Sequence, residues 1–334
     1  MKESTKSKLI STGLIAGGVA TAGALYHITL KYLMQIALDR KVPKHMDRGR
    51  QQLAGSKKFA DVLDKASQSA KKLEESDCTQ VEITGRDGVK LVGHWHRTKN
   101  PKRVIIAMHG WRSSWTNDFG LISEFWHDND CNVLYAEQRG QGNSGGEYMG
   151  FGLLERYDCL EWIKWVNEET GGGLPIYLGG VSMGATTVLM TAGLELPDNV
   201  KGIVADCGFT SPNAIWKHVV QNNLHMPYGI YSATASDICK KKIQIGSKDY
   251  STVDAMKHCT VPVLFIHGTD DHFVPVEMTY ENYKACVAPK KLLIVPGAEH
   301  AMSYLVDNKV YEEAIQSFWE EYDAKKMAMV AAEQ

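Results

Sequence analysis

The sequence has no excess of charge of either sign, no paired-cysteine motif, no internal repeat and no long low-complexity tract. Lys and Arg number 37 against 39 Asp and Glu, a formal net charge of −2. That balance excludes nucleic acid as a partner, because it provides no strong positive field to gather phosphates. The seven cysteines (Cys78, Cys131, Cys159, Cys207, Cys239, Cys259 and Cys286) are scattered and none forms a C-x-x-C pair. An odd, dispersed set fits neither a disulfide framework nor a zinc site, and reads as buried small hydrophobes in a reducing compartment. No metal or organic cofactor is implied. What remains is ordinary for a globular chain: 334 residues, 44% hydrophobic and 23% charged, enough for one large core or two modest ones.

The N-terminal stretch Leu9 to Leu30 is uncharged and mostly apolar, with Lys2, Lys6 and Lys8 before it and Lys31 after it. As a helix it is long enough to cross a hydrocarbon core of about 30 Å. Three readings fit: a single-pass anchor, a cleaved signal peptide (Ala20-Thr21-Ala22 and Ala22-Gly23-Ala24 fit the cleavage pattern), and an amphipathic helix lying on a surface. Length and flanks favour the anchor. The expected location is therefore the cell membrane, with secretion after cleavage or a cytoplasmic protein as alternatives. Basic residues on both sides give no orientation. The expected division is an anchor or signal segment over 1–31, a polar helical spacer over 32–78, a catalytic domain over 79–325 and a tail over 326–334. The spacer reads as a solvated helix with no chemistry.

From Thr79 onward, short apolar runs alternate with helical patterns. Val81-Glu82-Ile83 and Leu91 to Trp95 flank Arg86-Asp87-Gly88, a β-hairpin signature with Asp-Gly at the bend. Val104 to Met108 is a continuous apolar run, as expected of a strand buried on both faces. Further strands are expected over 132–136, 176–179, 202–205, 263–266 and 291–295, with helices between them. Such alternation predicts an α/β fold, a mostly parallel doubly wound sheet with an antiparallel edge hairpin.

The chemistry centres on Gly180-Val181-Ser182-Met183-Gly184, set between a strand and a helix. A strand–turn–helix setting is what a G-x-S-x-G nucleophile elbow requires, so Ser182 is the expected nucleophile. His300, in the loop after the last strand, is the expected general base. His94, His96 and His127 fit less well, and His267 is expected to shape its own turn. Asp271 is the preferred orienting carboxylate, Asp270 the second choice and Asp206 a third, more suited to capping. Ser, Asp, His is the chain order of this nucleophile-elbow architecture. The oxyanion donors are expected to be the backbone N–H groups of Met183 and of Trp111, in His109-Gly110-Trp111.

Taken together, His109-Gly110-Trp111, Gln138 to Ser144, Gly180 to Gly184, His267-Gly268 through Val274-Pro275, and Gly297 to His300 resemble the α/β-hydrolase superfamily over residues 79 to 322. The chain looks most like anchored bacterial hydrolases related to cinnamoyl and feruloyl esterases and to prolyl-oligopeptidase-like domains. The resemblance aligns the family's H-G-x-x-D-x-x-V-P aspartate with Asp271. Two positions depart from it: Glu137, where the family usually has Asp, and Gln141, where it often has His. The resemblance also implies a small helical cap over about 209–256, holding Trp216, His218, His225, Met226, Tyr228 and Tyr231. These aromatics either pack the cap onto the body or line an acyl pocket. The expected substrate is a small carboxylic ester with a short, medium or aromatic acyl group. A peptidase or amidase with the same triad, and a membrane-tethered binding protein without turnover, are the alternatives.

Overall fold

The computed structural model describes residues 23–41, 60–229 and 232–332. Two helices precede the sheet, α1 (residues 23–38) and α2 (Ala60–Glu74). The strands are β1 (Cys78–Thr84), β2 (Lys90–His96), β3 (Arg103–Met108), β4 (Cys131–Glu137), β5 (Ile176–Val181), β6 (Val200–Asp206), β7 (Val263–Gly268) and β8 (Lys290–Val295). The helices between and after them are α3 (Trp115–Asp128), α4 (Glu155–Thr170), α5 (Met183–Thr191), α6 (Pro212–His218), α7 (Ser232–Ile243), α8 (Thr252–Met256), α9 (Val276–Ala285), α10 (Ser303–Val306) and α11 (Asn308–Ala332).

The eight strands form one sheet in the order β1-β2-β4-β3-β5-β6-β7-β8. β1 with β2 and β2 with β4 pair antiparallel, and every other pairing is parallel. Chain parity sorts the core into two layers. Val104, Ile106 and Met108 face one cluster with Trp162 of α4 and Val188 of α5. Ile105 and Ala107 face the other, with Phe119 of α3 and Phe318 of α11. Side chains alternate across a strand, so a strand covered on both faces is apolar along its length except where a buried charge is paired, as Arg103 is with Asp323. β3 is buried throughout, whereas the edge strand β1 alternates from Gln80 onward.

The expected membrane anchor is corrected by the structure. Among the described residues no helix is long and apolar enough to cross a membrane. Residues 9–22 of the expected span lie outside the described residues. The rest of that span begins α1, which lies on the body of the protein. Leu30, Met34 and Leu38, four residues apart, are 1%, 3% and 0% exposed. They join a third cluster with Phe151, Met183, Phe209, Ile215 and Trp216. Leu25 and Ile28 face outward, 65% and 63% exposed. The described helix is thus one-sided, and its apolar face is satisfied by protein.

Polar contacts fix the same helix. The Tyr26 hydroxyl donates to the Pro227 carbonyl, Lys242 Nζ meets Asp39 at 2.6 Å, and Arg40 Nη2 donates to the Gly142 carbonyl at 2.6 Å. In α2, Ala70 and Leu73 are buried. There α2 meets α3 so closely that a Cβ added to Gly120 would stand 2.6 Å from the Ala70 nitrogen.

Candidate active site

Between β5 and α5 the chain turns so sharply that Ser182 takes φ 54° and ψ −116°, a conformation that L-residues rarely adopt. Glycine is required on both sides. A Cβ on Gly180 would come within 2.3 Å of the Gly184 carbonyl oxygen, and one on Gly184 within 1.7 Å of the Met108 oxygen. The turn is held by Ser182 N–H donating to the Asp206 carbonyl at 2.9 Å. Met183 opens α5, so its N–H belongs to the first turn, whose amides have no carbonyl one turn back.

His300 follows β8 and reaches across the end of the sheet. Its Nε2 lies 2.9 Å from Ser182 Oγ and its Nδ1 2.7 Å from Asp271 Oδ2. An ionised carboxylate only accepts, so Nδ1 carries the proton and Nε2 is left to accept one from Ser182. Asp271 Oδ1 also accepts the N–H groups of Phe273 and Val274, at 2.9 and 2.8 Å. His267 Nε2 stands 3.1 Å from Asp271 Oδ2, and its Nδ1 is 2.6 Å from Thr279 Oγ1. Burial opposes the Asp271 charge. The hydrogen bonds from His267, His300 and Val274 outweigh it and hold the carboxyl well below the usual carboxylate range.

The other aspartates stand apart from this relay. Asp270 is exposed and accepts from Thr269 Oγ1 at 2.7 Å. Asp206 is buried, accepts from Ser303 Oγ at 3.0 Å, and has its pKa pushed up by burial. His94 stacks on Trp115 and lies 2.6 Å from Glu137. His96 and His127 stack on each other, and burial pushes the His127 pKa down to about 4. Cys207, Asp271 and His300 bring ligand-type atoms within 4.8 Å of one another. Burial keeps the Cys207 thiol protonated, and the other two are committed to each other and to Ser182. That donor set fits a proton relay and not a metal.

Trp111 lies in the loop after β3, which approaches the nucleophile. A Cβ on Gly110 would stand 3.4 Å from Ser182 Cβ. Asp118, on the first turn of α3, holds this loop: its Oδ2 accepts Gly110 N–H at 2.6 Å and its Oδ1 accepts Ser113 Oγ at 2.5 Å. Gln138 donates to the His109 carbonyl, and Gln141 Oε1 accepts Arg112 N–H at 2.5 Å. Trp111 Nε1 donates to the Ala37 carbonyl of α1 at 2.9 Å, and Arg112 Nη2 to the Ile36 carbonyl at 2.7 Å. Sequence reasoning passed over Asp118, since an acid in a first helical turn is ordinary capping chemistry. It read the start of α1 as a membrane anchor and did not place it beside the nucleophile.

An apolar cavity of about 120 Å³ opens at Ser182. Trp216 and Tyr228 of the cap line it, whereas His218 reaches instead to the His272 carbonyl. Tyr231 lies outside the described residues.

Residues 103–238 match the family model for the α/β-hydrolase fold. The chain is 25% identical to the uncharacterized protein YqkD of Bacillus subtilis (strain 168), over 94% of this chain and 97% of that one. It is 24% identical to the bifunctional esterase/perhydrolase DCH of Acinetobacter calcoaceticus, over 66% and 92% of the two chains. Among solved structures, the Pyrococcus furiosus esterase Pf2001 superposes with a TM-score of 0.62 at 23% identity, covering 75% of this chain and 93% of that one. Sheet order, connection pattern and family match agree on one architecture: the chain has the α/β-hydrolase fold.

Proposed function

We propose that the protein is a serine hydrolase that cleaves carboxylic esters through an acyl-enzyme on Ser182. The observation that carries this reading is the pair of hydrogen bonds running from Ser182 through His300 to Asp271. Ser182 Oγ attacks the ester carbonyl carbon as His300 Nε2 takes its proton. The carbonyl oxygen becomes an oxyanion, for which the N–H groups of Met183 and Trp111 are the donors; one such donor is worth on the order of 100-fold in rate. Collapse breaks the bond to the alcohol, whose oxygen takes the proton from His300. Water then loses a proton to the same nitrogen and attacks the acyl-enzyme, and the acid leaves as Ser182 is reprotonated.

Likeness to a relative named an esterase supports ester over amide as the cleaved bond. The test is labelling with a fluorophosphonate probe, comparing the native chain with Ser182→Ala. Labelling of the native protein alone is expected, with ester turnover falling by on the order of 10⁶-fold in the variant. Near-normal turnover by Ser182→Ala would sink the mechanism. Faster cleavage of p-nitroanilides than of the matching p-nitrophenyl esters would move the reading to an amidase.

A further inference from the structure

The cavity at Ser182 has a wall whose origin is unexpected. Leu30, Leu33, Met34, Ile36 and Ala37 of α1 form one side of it, facing Phe209, Trp216 and Phe273. We infer that α1 is the specificity wall of an acyl pocket that takes an uncharged apolar acyl group of about five or six carbons, an inference that rests on the Ser182 reading.

Chemistry sets the class. Among the described residues, no acidic or basic side chain lines the cavity. The Tyr228 hydroxyl is engaged by Asn213 at 3.2 Å, and Trp111 Nε1 by the Ala37 carbonyl. Trp216 Nε1 is the lining N–H without a partner among the described residues, and indole is a donor only. A carboxylate or ammonium on the acyl chain would lose its water and find no counter-charge. Size sets the length. A cavity of about 120 Å³ is slightly smaller than the roughly 150 Å³ apolar cavity known to take benzene, which corresponds to about five or six carbons.

Position links the wall to the reacting centre. The helix that receives the chain also accepts hydrogen bonds from Trp111 Nε1 and the Arg112 guanidinium, on the loop that carries the Trp111 amide. An acyl group that fills the pocket rests on the same elements that hold that loop. One that falls short leaves apolar surface uncovered, at a cost of about fourfold in kcat/KM per missing methylene.

The experiment is kcat/KM for p-nitrophenyl acetate, butyrate, hexanoate, octanoate and hemisuccinate in the full-length protein. The native chain is expected to prefer hexanoate over acetate and to reject hemisuccinate. Ala37→Phe projects a ring from the wall and is expected to lower the hexanoate-to-acetate ratio at least 10-fold. Leu33→Ala widens the pocket and is expected to move the optimum to octanoate. Circular dichroism checks folding, and if one variant does not fold the other decides. Ratios within twofold of native in a folded variant that still takes the fluorophosphonate label would overturn the α1 wall and leave the Ser182 mechanism standing. A native protein that neither labels nor cleaves any of the esters would overturn both.

Discussion

Asp271 and Asp270 are adjacent, yet their surroundings differ completely. Asp271 is buried and accepts from two histidines and two backbone amides, whereas Asp270 lies in solvent. Asp271→Asn is expected to lower kcat on esters by about 10³–10⁴-fold, because an amide can offer His300 the wrong partner and so favour the wrong tautomer. Asp270→Asn should change it by less than about twofold; steady-state kinetics with one ester compare the two, and the reverse order would move the orienting role. The depressed pKa also has a stability consequence. A carboxyl held lower in the folded state stabilises that state above its unfolded value of about 3.9, and the gain is lost as pH falls from there toward the folded value. Urea midpoints between pH 5 and pH 3 should therefore fall more steeply for the native chain than for Asp271→Asn. Equal slopes would mean that other carboxyls dominate acid unfolding. At this scale the sequence was highly legible. Ser182 was legible from its strand–turn–helix setting and His300 from its loop after the last strand. The preference for Asp271 over Asp270 was supported by the family resemblance, and the three lie within hydrogen-bond reach in the order Ser, His, Asp along the relay. Asp118 was not legible, since its role depends on a loop and a helix meeting in space.

The elements of the sheet were legible for a related reason. Periodicity in a strand buried on both faces is set by local rules, and β3 obeys them at five of its six positions, the exception being Arg103 at its start, which pairs with Asp323. The Asp-Gly bend was read correctly too, with Gly88 at φ 83°. α1 was misread because hydropathy along a line does not say what covers an apolar face. Its residues are apolar enough to suggest lipid, but their burial follows a four-residue period against the cap. Removal of residues 1–31 would read as harmless for a detached anchor; here it would take away the buried Leu30. Leu30→Ala is expected to cost about 2–5 kcal/mol of stability, measured by urea unfolding of the full-length chain. A change within error would mean that α1 docks too weakly to be part of the core.

Over the whole molecule, buried charge reinforces contacts that apolar packing also makes. Arg139, after β4, donates to Asp158 of α4 at 2.5 and 2.6 Å, and to Asp87 in the β1–β2 bend at 2.7 Å. The Arg139–Asp158 pair is almost fully buried, at 5% and 2% side-chain exposure. Asp158→Ala would leave the guanidinium with only the half-exposed Asp87, and is expected to cost about 3–5 kcal/mol. Urea unfolding at neutral pH measures this, and a loss below about 1 kcal/mol would show that water reaches Arg139 and replaces the partner.

The docking of α1 also bears on synthesis. Tyr26 and Pro227 are bonded across 201 positions, and Asp39 and Lys242 across 203. At about 5–20 residues per second, the ribosome delivers the cap roughly 10–40 s after it delivers the helix. During that interval the face carrying Leu30, Met34 and Leu38 lacks the part of its cover that Phe209, Ile215 and Trp216 supply. A helix made among the first elements is therefore completed only by one made some 200 residues later, and until then the nascent chain displays the kind of apolar surface that promotes aggregation.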